Sequence, residues 1–383
     1  MVTTHKRCLL AITGAFELGG GIAAVNRLII QALAEAGYQI EIYSLCEKKP
    51  KLDERCLSPE QASIQVFNNS KVNFTLGVWK ALATGRYDFV MADLINLAAM
   101  LAPLKLVNQC RYIVWLYGID VFPPMPDFEG SVGMKHAWKR LAISSYTREQ
   151  VVNRFPKLSV DLCDLALDPV RHTVPLDLST TNKPAEIEMT AFDGSLRALG
   201  SQFILHVGRM ANIDRYKGQD TLLKAFPAIS QEFPESQLVL VGEGDDMARL
   251  KMIADELPEQ LKARVFMPGF VESNLLNLLY QSCYLFAMPS KGEGFGLVYL
   301  EAMSRGKPCL GGNVDATPCV IRDEVTGVLV DDPTSAEQVA DKIIRLLNQP
   351  EQARTMGQKG YELVKSHYLF PHFKERFLNI LAA

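Results

Sequence analysis

The sequence predicts an α/β protein of two doubly wound domains, each with a parallel sheet, facing a central cleft. Three observations predict it: the length, a strand–helix alternation that runs twice, and a proline-rich stretch between the two runs. At 383 residues the chain is too long for one ordinary α/β core and suits two. Strands alternating with helices imply parallel sheets covered on both faces.

In the first half, Cys8–Thr13 is a continuous apolar run of strand length. Glycines follow at Gly14 and Gly19–Gly21. Ile22–Ala36 repeats apolar residues at helical spacing and stops at Gly37, a suitable C-terminal cap. Ile40–Leu45, Phe89–Ala92 and Tyr112–Leu116 read as further buried strands. From Asp168 to Gly200 the period fails around Pro169, Pro175 and Pro184, which marks a linker. The alternation then resumes. Phe203–Val207, Gln237–Val241, Tyr284–Pro289 and Pro308–Gly311 read as strands. Gln219–Phe233, Leu275–Ser282, Leu297–Met303 in a helix that opens near Phe295, and Ala336–Leu347 read as helices. The expected organisation is a Rossmann-like domain over 1–168, a linker over 169–200 and a second Rossmann-like domain over 201–365. An amphipathic helix within 366–383 would be free to return to the first domain.

Composition narrows the classes. Hydrophobic residues make up 48% and charged residues 22%, as in a folded chain. A net charge of -3 argues against a nucleic-acid partner. The balance is uneven: residues 1–160 carry 18 Lys+Arg against 13 Asp+Glu, the remainder 22 against 30. A basic first half suits an anionic membrane or a phosphate-bearing acceptor, and equally an unevenly charged solvated surface. Lys135–Arg140 is a candidate membrane contact or an ordinary exposed helix. The eight cysteines show no CxxC or zinc spacing, and Cys8, Cys110 and Cys283 sit in apolar runs. The start of the chain leads directly into a strand, so no signal peptide is expected. The apolar stretch Leu94–Leu106 is interrupted by Asn96, Pro103 and Lys105, too short and broken for a span. A reduced, cytoplasmic chain is expected, either free of the membrane or in peripheral contact with its inner face.

The segment from Pro289 to Pro308 carries the most chemistry. A strand ends, Gly292, Gly294 and Gly296 make a turn, and a helix follows. Such glycines let backbone approach a ligand, and a helix start offers free N–H groups to an anion. Glu293 lies in the turn and Glu301 about two helical turns further. A second cluster lies after the strand Phe203–Val207. Gly208-Arg209 is followed by Tyr216-Lys217-Gly218, placing two cations between a strand end and a helix start. Arg would grip phosphate oxygens as a fork, Lys as a point charge. No Asp-x-Asp pair suits a metal, and Asp245-Asp246 and Asp331-Asp332 read as a helix start and a loop.

These residues together resemble glycosyltransferase family 4, the retaining GT-B enzymes of bacterial polysaccharide and lipid-sugar synthesis. The pieces that match are Gly208-Arg209 with Lys217-Gly218, Val241–Gly244, Pro268–Phe270 and the Glu293…Glu301 spacing. The first half matches more loosely, through Gly19–Gly21 and Trp115–Asp120. The resemblance implies a hexose moved from a UDP- or GDP-sugar to a saccharide or lipid-linked saccharide, with no metal or other cofactor. It implies that Arg209 and Lys217 bind the donor diphosphate and that Gly20 and Gly21 close over it. Glu293, with the backbone of Gly294, Phe295, Gly296 and Leu297, would meet the transferred sugar. Glu301 would hold the ribose hydroxyls, and Gly269, Phe270 and Val271 would lie near the base. Tyr117 stands where the family often has His, and it cannot be a cation near neutral pH. Asp120 would then serve as a catalytic or acceptor-side group beside Tyr117. Asp93, at another strand end, is either an acceptor contact or a turn residue.

The leaving nucleoside diphosphate gains negative charge, and cations and amides can meet it. The transition state should resemble an oxocarbenium ion. Retention follows from a covalent adduct on Glu293 or from same-face attack with the departing phosphate taking the acceptor proton, which the family analogy favours. A dehydrogenase would need Gly-x-Gly-x-x-Gly after an early strand, which Gly19–Gly21 does not fit. A phosphorylase or epimerase of the same shape, and a non-catalytic sugar-nucleotide-binding or partner subunit, remain as rivals.

Overall fold

A computed structural model describes residues 6–17, 19–58, 60–104, 111–122, 129–171, 178 and 187–383. The chain divides into two compact units, Met1–Thr173 with Leu369–Ala383, and Val174–Tyr368.

The first unit is built on a parallel sheet of seven strands. These are β1 (Arg7–Ile12), β2 (Gln39–Ser44), β3 (Ala62–Val66), β4 (Phe89–Ala92), β5 (Tyr112–Leu116), β6 (Lys139–Ala142) and β7 (Asp161–Leu162), in the order β3-β2-β1-β4-β5-β6-β7. The central strands β4 and β5 are buried throughout, which is why they read as unbroken apolar runs. The order reverses between β1 and β4, so the ends of those two strands open a crevice where ligands of such sheets bind. Helix α1 (Gly21–Glu35) follows β1, capped by Gly20 at φ 96°, a value that suits glycine. Helices α2 (Lys71–Thr84) and α3 (Ile95–Ala99) flank β4.

The second unit repeats the plan. Strands β10 (Phe203–Val207), β11 (Gln237–Val241), β12 (Val265–Gly269), β13 (Leu285–Met288), β14 (Cys309–Gly312) and β15 (Gly327–Val330) form a parallel sheet in the order β12-β11-β10-β13-β14-β15. Its reversal falls between β10 and β13, the two strands that precede the sequence motifs. An antiparallel hairpin of β8 (Glu188–Thr190) and β9 (Leu196–Ala198) attaches beside β12, where the Phe192 amide donates to the Val265 carbonyl over 2.8 Å. The expected linker 169–200 is therefore partly structured. Its first residues belong to the first unit, directly after Asp168, which takes two hydrogen bonds from buried Arg27. Its last residues belong to the second unit.

After β15 come α12 (Ala336–Asn348) and α13 (Pro350–His367) in the second unit, and α14 (Phe370–Ala382) in the first. Phe373 and Phe377 of α14 pack on the buried Trp115 of β5, with centroids 6.2 and 5.8 Å away. Burying each phenyl ring contributes about 1.5–3 kcal/mol. Lys374 pairs with Glu35 of α1 at 2.7 Å, and Arg376 donates to the Asp164 carbonyl. Among the described residues no helix is long and apolar enough to cross a membrane. Cys8 and Cys283 are buried; Cys110 lies outside the described residues.

Within the Lys135–Arg140 segment, Lys135 and His136 are exposed and Lys139 pairs with Asp161 at 3.8 Å. Arg140 is buried and donates to the carbonyls of Met134, Lys135, Ala137 and Ser159. Its cation satisfies backbone acceptors at the edge of β6.

Candidate active site

The second unit gathers its chemistry at the reversal between β10 and β13. Beyond β10 the chain passes through Gly208-Arg209 and a 3-10 turn, Asn212–Lys217, to Gly218, which starts helix α7 (Gln219–Glu232). Gly218 has φ 80°, and a Cβ there would stand 2.4 Å from the Pro289 carbonyl oxygen. The two loops therefore lie against each other only because residue 218 lacks a side chain. The Lys291 amide donates to the Tyr216 carbonyl over 3.0 Å, and the Tyr216 ring lies where a Cβ on Gly292 would be.

That contact brings Lys217 to the glycine turn. Its ammonium pairs with the Glu293 carboxylate, and both side chains are largely enclosed, at 16% and 12% exposure. Burial by itself would lower the Lys217 pKa; the charge of Glu293, reinforced by Tyr216, reverses this and holds it above the ordinary lysine value. Lys217 stays a cation, 5.1 Å over the Tyr216 ring.

Arg209 stands differently. Its Nε donates to buried Asp214, which raises its pKa, while 62% of its side chain is exposed. The distant sequence motif Gly242-Glu-Gly244 supports this loop: a Cβ on Gly242 would fall 2.0 Å from the Gly208 carbonyl oxygen, and one on Gly244 2.3 Å from that of Met210.

The glycine turn rests on a residue that the sequence reading did not single out. Asp315, buried after β14, accepts from the Glu293 amide at 2.7 Å, the Ser290 hydroxyl at 3.0 Å and the Thr317 amide at 2.9 Å. Burial pushes its carboxyl pKa up. An aspartate shortly beyond a strand end was the available signal. Helix α11 (Leu297–Met303) then follows its cap Gly296, φ 91°, over the span the sequence predicts. Phe295 is buried with its ring 6.0 Å from Tyr368, so only its backbone faces the turn. Glu301 accepts from the Tyr280 hydroxyl at 2.9 Å. Gly269, φ 76°, accepts the Gly242 amide; Val271 is buried beside it, whereas Phe270 is 66% exposed.

In the first unit, Asp93 sits at the reversal between β1 and β4. One of its oxygens accepts from the Thr13 amide (2.7 Å), the Thr13 hydroxyl (2.6 Å) and the Asn26 amide group (2.8 Å). Burial outweighs these bonds and raises its pKa from 3.8 to about 6. Its other oxygen, the Tyr117 hydroxyl and both Asp120 oxygens are shielded from solvent, with no hydrogen-bond partner among the described residues. Burial raises the pKa of Tyr117 and of Asp120, and nearby Asp93 adds to both shifts. Gly20 and Gly21 are exposed where α1 begins. The loop before them is held by Glu47, which accepts from the amides of Ala15, Phe16 and Glu17; Glu47 was also not singled out in the sequence.

Two parallel sheets of this order, with a cation and a carboxylate facing a glycine turn at a strand reversal, define the class of GT-B glycosyltransferase folds. Residues 190–363, within the second unit, match the family model of glycosyl transferases group 1. The chain is 30% identical over 172 residues to the GDP-mannose-dependent monoacylated alpha-(1-6)-phosphatidylinositol monomannoside mannosyltransferase of Corynebacterium glutamicum. That match covers 43% of this chain and 44% of the relative, so the chain spans under half the length of that enzyme. It is 24% identical over 373 residues to an uncharacterized glycosyltransferase of Haemophilus influenzae, covering 94% and 96%. Among solved structures, Anabaena HepE in complex with UDP and glucose superposes with a TM-score of 0.76 over 99% of this chain and 100% of that one, at 17% identity. That likeness is one of fold.

Proposed function

We propose that this chain is a retaining glycosyltransferase that moves a hexose from a UDP- or GDP-sugar to a saccharide or lipid-linked saccharide. The observation that carries this reading is the enclosed Lys217–Glu293 pair beside the glycine turn, at the strand reversal of the group 1 segment. The names of the mannosyltransferase relative and of the HepE complex favour a nucleotide-sugar donor and a lipid-borne acceptor. In this reading Lys217, Arg209 and the amides of Gly294–Leu297 hold the diphosphate and stabilise the charge it gains, without a metal ion. Incoming phosphate competes with Glu293 for the Lys217 ammonium. The released carboxylate then faces the anomeric carbon and stabilises its positive charge. The acceptor attacks from the face that the diphosphate leaves, and the diphosphate oxygen takes the acceptor proton. Phe270 offers an open ring for the base, and Glu301 a carboxylate for the ribose. One oxygen of Asp93, the Tyr117 hydroxyl and the Asp120 carboxyl supply acceptor-side polar atoms without hydrogen-bond partners among the described residues.

The test is a thermal-shift panel of nucleotide sugars on the wild type and Lys217→Ala, followed by release of nucleoside diphosphate with an acceptor panel. A donor should stabilise the wild type by mass action and the variant far less. Equal stabilisation of both proteins would refute the diphosphate role of Lys217. Stabilisation without turnover on any acceptor would support the non-catalytic binding subunit instead, a reading that the uncharged Tyr117 keeps in view.

A further inference from the structure

We infer that helix α2 is a membrane-docking helix, its outer stripe of Val72, Leu76 and Trp79 seated in the surface of an anionic lipid bilayer. The helix is apolar on two sides. Phe74, Val78, Ala81 and Leu82 are buried against the first unit. On another side Val72 is 70% exposed, Leu76 57% and Trp79 39%. Their spacing of four and three residues puts them on one stripe, and exposed Ala83 continues it. Large exposed apolar side chains elsewhere among the described residues occur singly, on separate elements. Isolated ones need no explanation; a contiguous stripe does.

Charge selects the occupant. From Gln61 to Tyr87 the chain carries Lys71, Lys80 and Arg86 and no carboxylate. Lys71 and Lys80 are exposed beside the stripe, where long cationic side chains can lay their stems on apolar surface and reach phosphate headgroups. The stripe spans about two helical turns, far less than the roughly 800 Å² per partner of a stable protein interface. An interfacial helix needs only an apolar face to sink into the headgroup region and cations around it. Contacts to Met100, just after α3, hold the stripe in place: the Trp79 indole N–H donates to the Met100 carbonyl at 3.1 Å, and the Thr75 hydroxyl oxygen lies 3.7 Å from the Met100 sulfur. The inference deepens the lipid-linked acceptor reading, yet its test needs no transfer activity.

The full chain is sedimented with vesicles of phosphatidylcholine alone and of phosphatidylcholine mixed with phosphatidylglycerol. The wild type should sediment with the anionic vesicles and little with the neutral ones, less so as salt rises. A Leu76→Ser, Trp79→Ser double variant should bind about tenfold more weakly. A Lys71→Gln, Lys80→Gln variant, which changes only exposed side chains, should lose the preference for anionic vesicles and keeps the test valid if the first variant misfolds. Three results would overturn the inference: no sedimentation of the wild type with anionic vesicles, equal sedimentation of wild type and a folded variant, or a wild-type dimer in ultracentrifugation that the substitutions abolish. Transfer to a soluble acceptor without vesicle binding refutes docking alone; vesicle binding without transfer on any acceptor refutes the transferase reading alone.

Discussion

Lys217 and Glu293 show what a single pair can do in a sheltered site. Each neutralises the other, so the ammonium is held in an enclosed place without standing unpaired. Lys217→Ala should lower kcat/KM by about two to three orders of magnitude, the usual loss for one group that stabilises developing charge. Glu293→Gln should leave nucleoside diphosphate binding intact or tighter, because Lys217 is freed, while slowing transfer; isothermal titration and initial rates separate the two effects. Asp93 carries a prediction in pH. Its folded pKa, about 6, lies above its ordinary 3.8. Between those values the folded state holds more of the proton than the unfolded state, so stability should fall as pH rises from about 4 to about 6. Asp93→Asn should flatten that part of the melting-temperature profile, and a variant with an unchanged slope would count against the raised pKa. Asp93 was readable as a strand-end carboxylate; its exchange with Thr13 and Asn26 was not, because those partners meet only once α1 packs beside β4.

At the scale of elements, the glycine at the start of α7 fixes how closely two loops approach. Gly218→Ala adds a methyl group 2.4 Å from a carbonyl oxygen and demands φ 80° of a chiral residue. A loss of about 2–4 kcal/mol is expected, read by chemical denaturation, together with a weakened Lys217–Glu293 pairing. The strands that position this site were legible. Phe203–Val207 and Gln237–Val241 are inner strands with most positions buried, so they read as near-continuous apolar runs, with buried His206 the one polar residue inside the first. Edge strand β3 alternates between partly and fully exposed positions and carries no such run. Helix α13 was not expected because Gly357 and Gly360 resemble breaks. Packing explains them: a Cβ on Gly357 would lie 1.9 Å from the Gly306 carbonyl oxygen. Asp315 was missed for a related reason, since its three hydrogen bonds join segments far apart in sequence.

Across the whole molecule, the chain leaves the first unit and re-enters it at α14. Phe373→Ala should cost the first unit about 3–5 kcal/mol. Hydrogen exchange should speed up in α1 and β5 while the second unit keeps its protection; equal loosening of both units would argue against their independence. The N-terminal sheet was recognisable from its own residues, whereas its last partner lies beyond the other unit and only tertiary packing reveals it. This arrangement bears on birth at the ribosome. Domains commonly fold in order of emergence, but here the segment that covers Trp115 is translated after the entire second unit. The earlier half must wait with an aromatic groove open, and a nascent chain stalled before residue 369 should display it to chaperones while its later half is already complete.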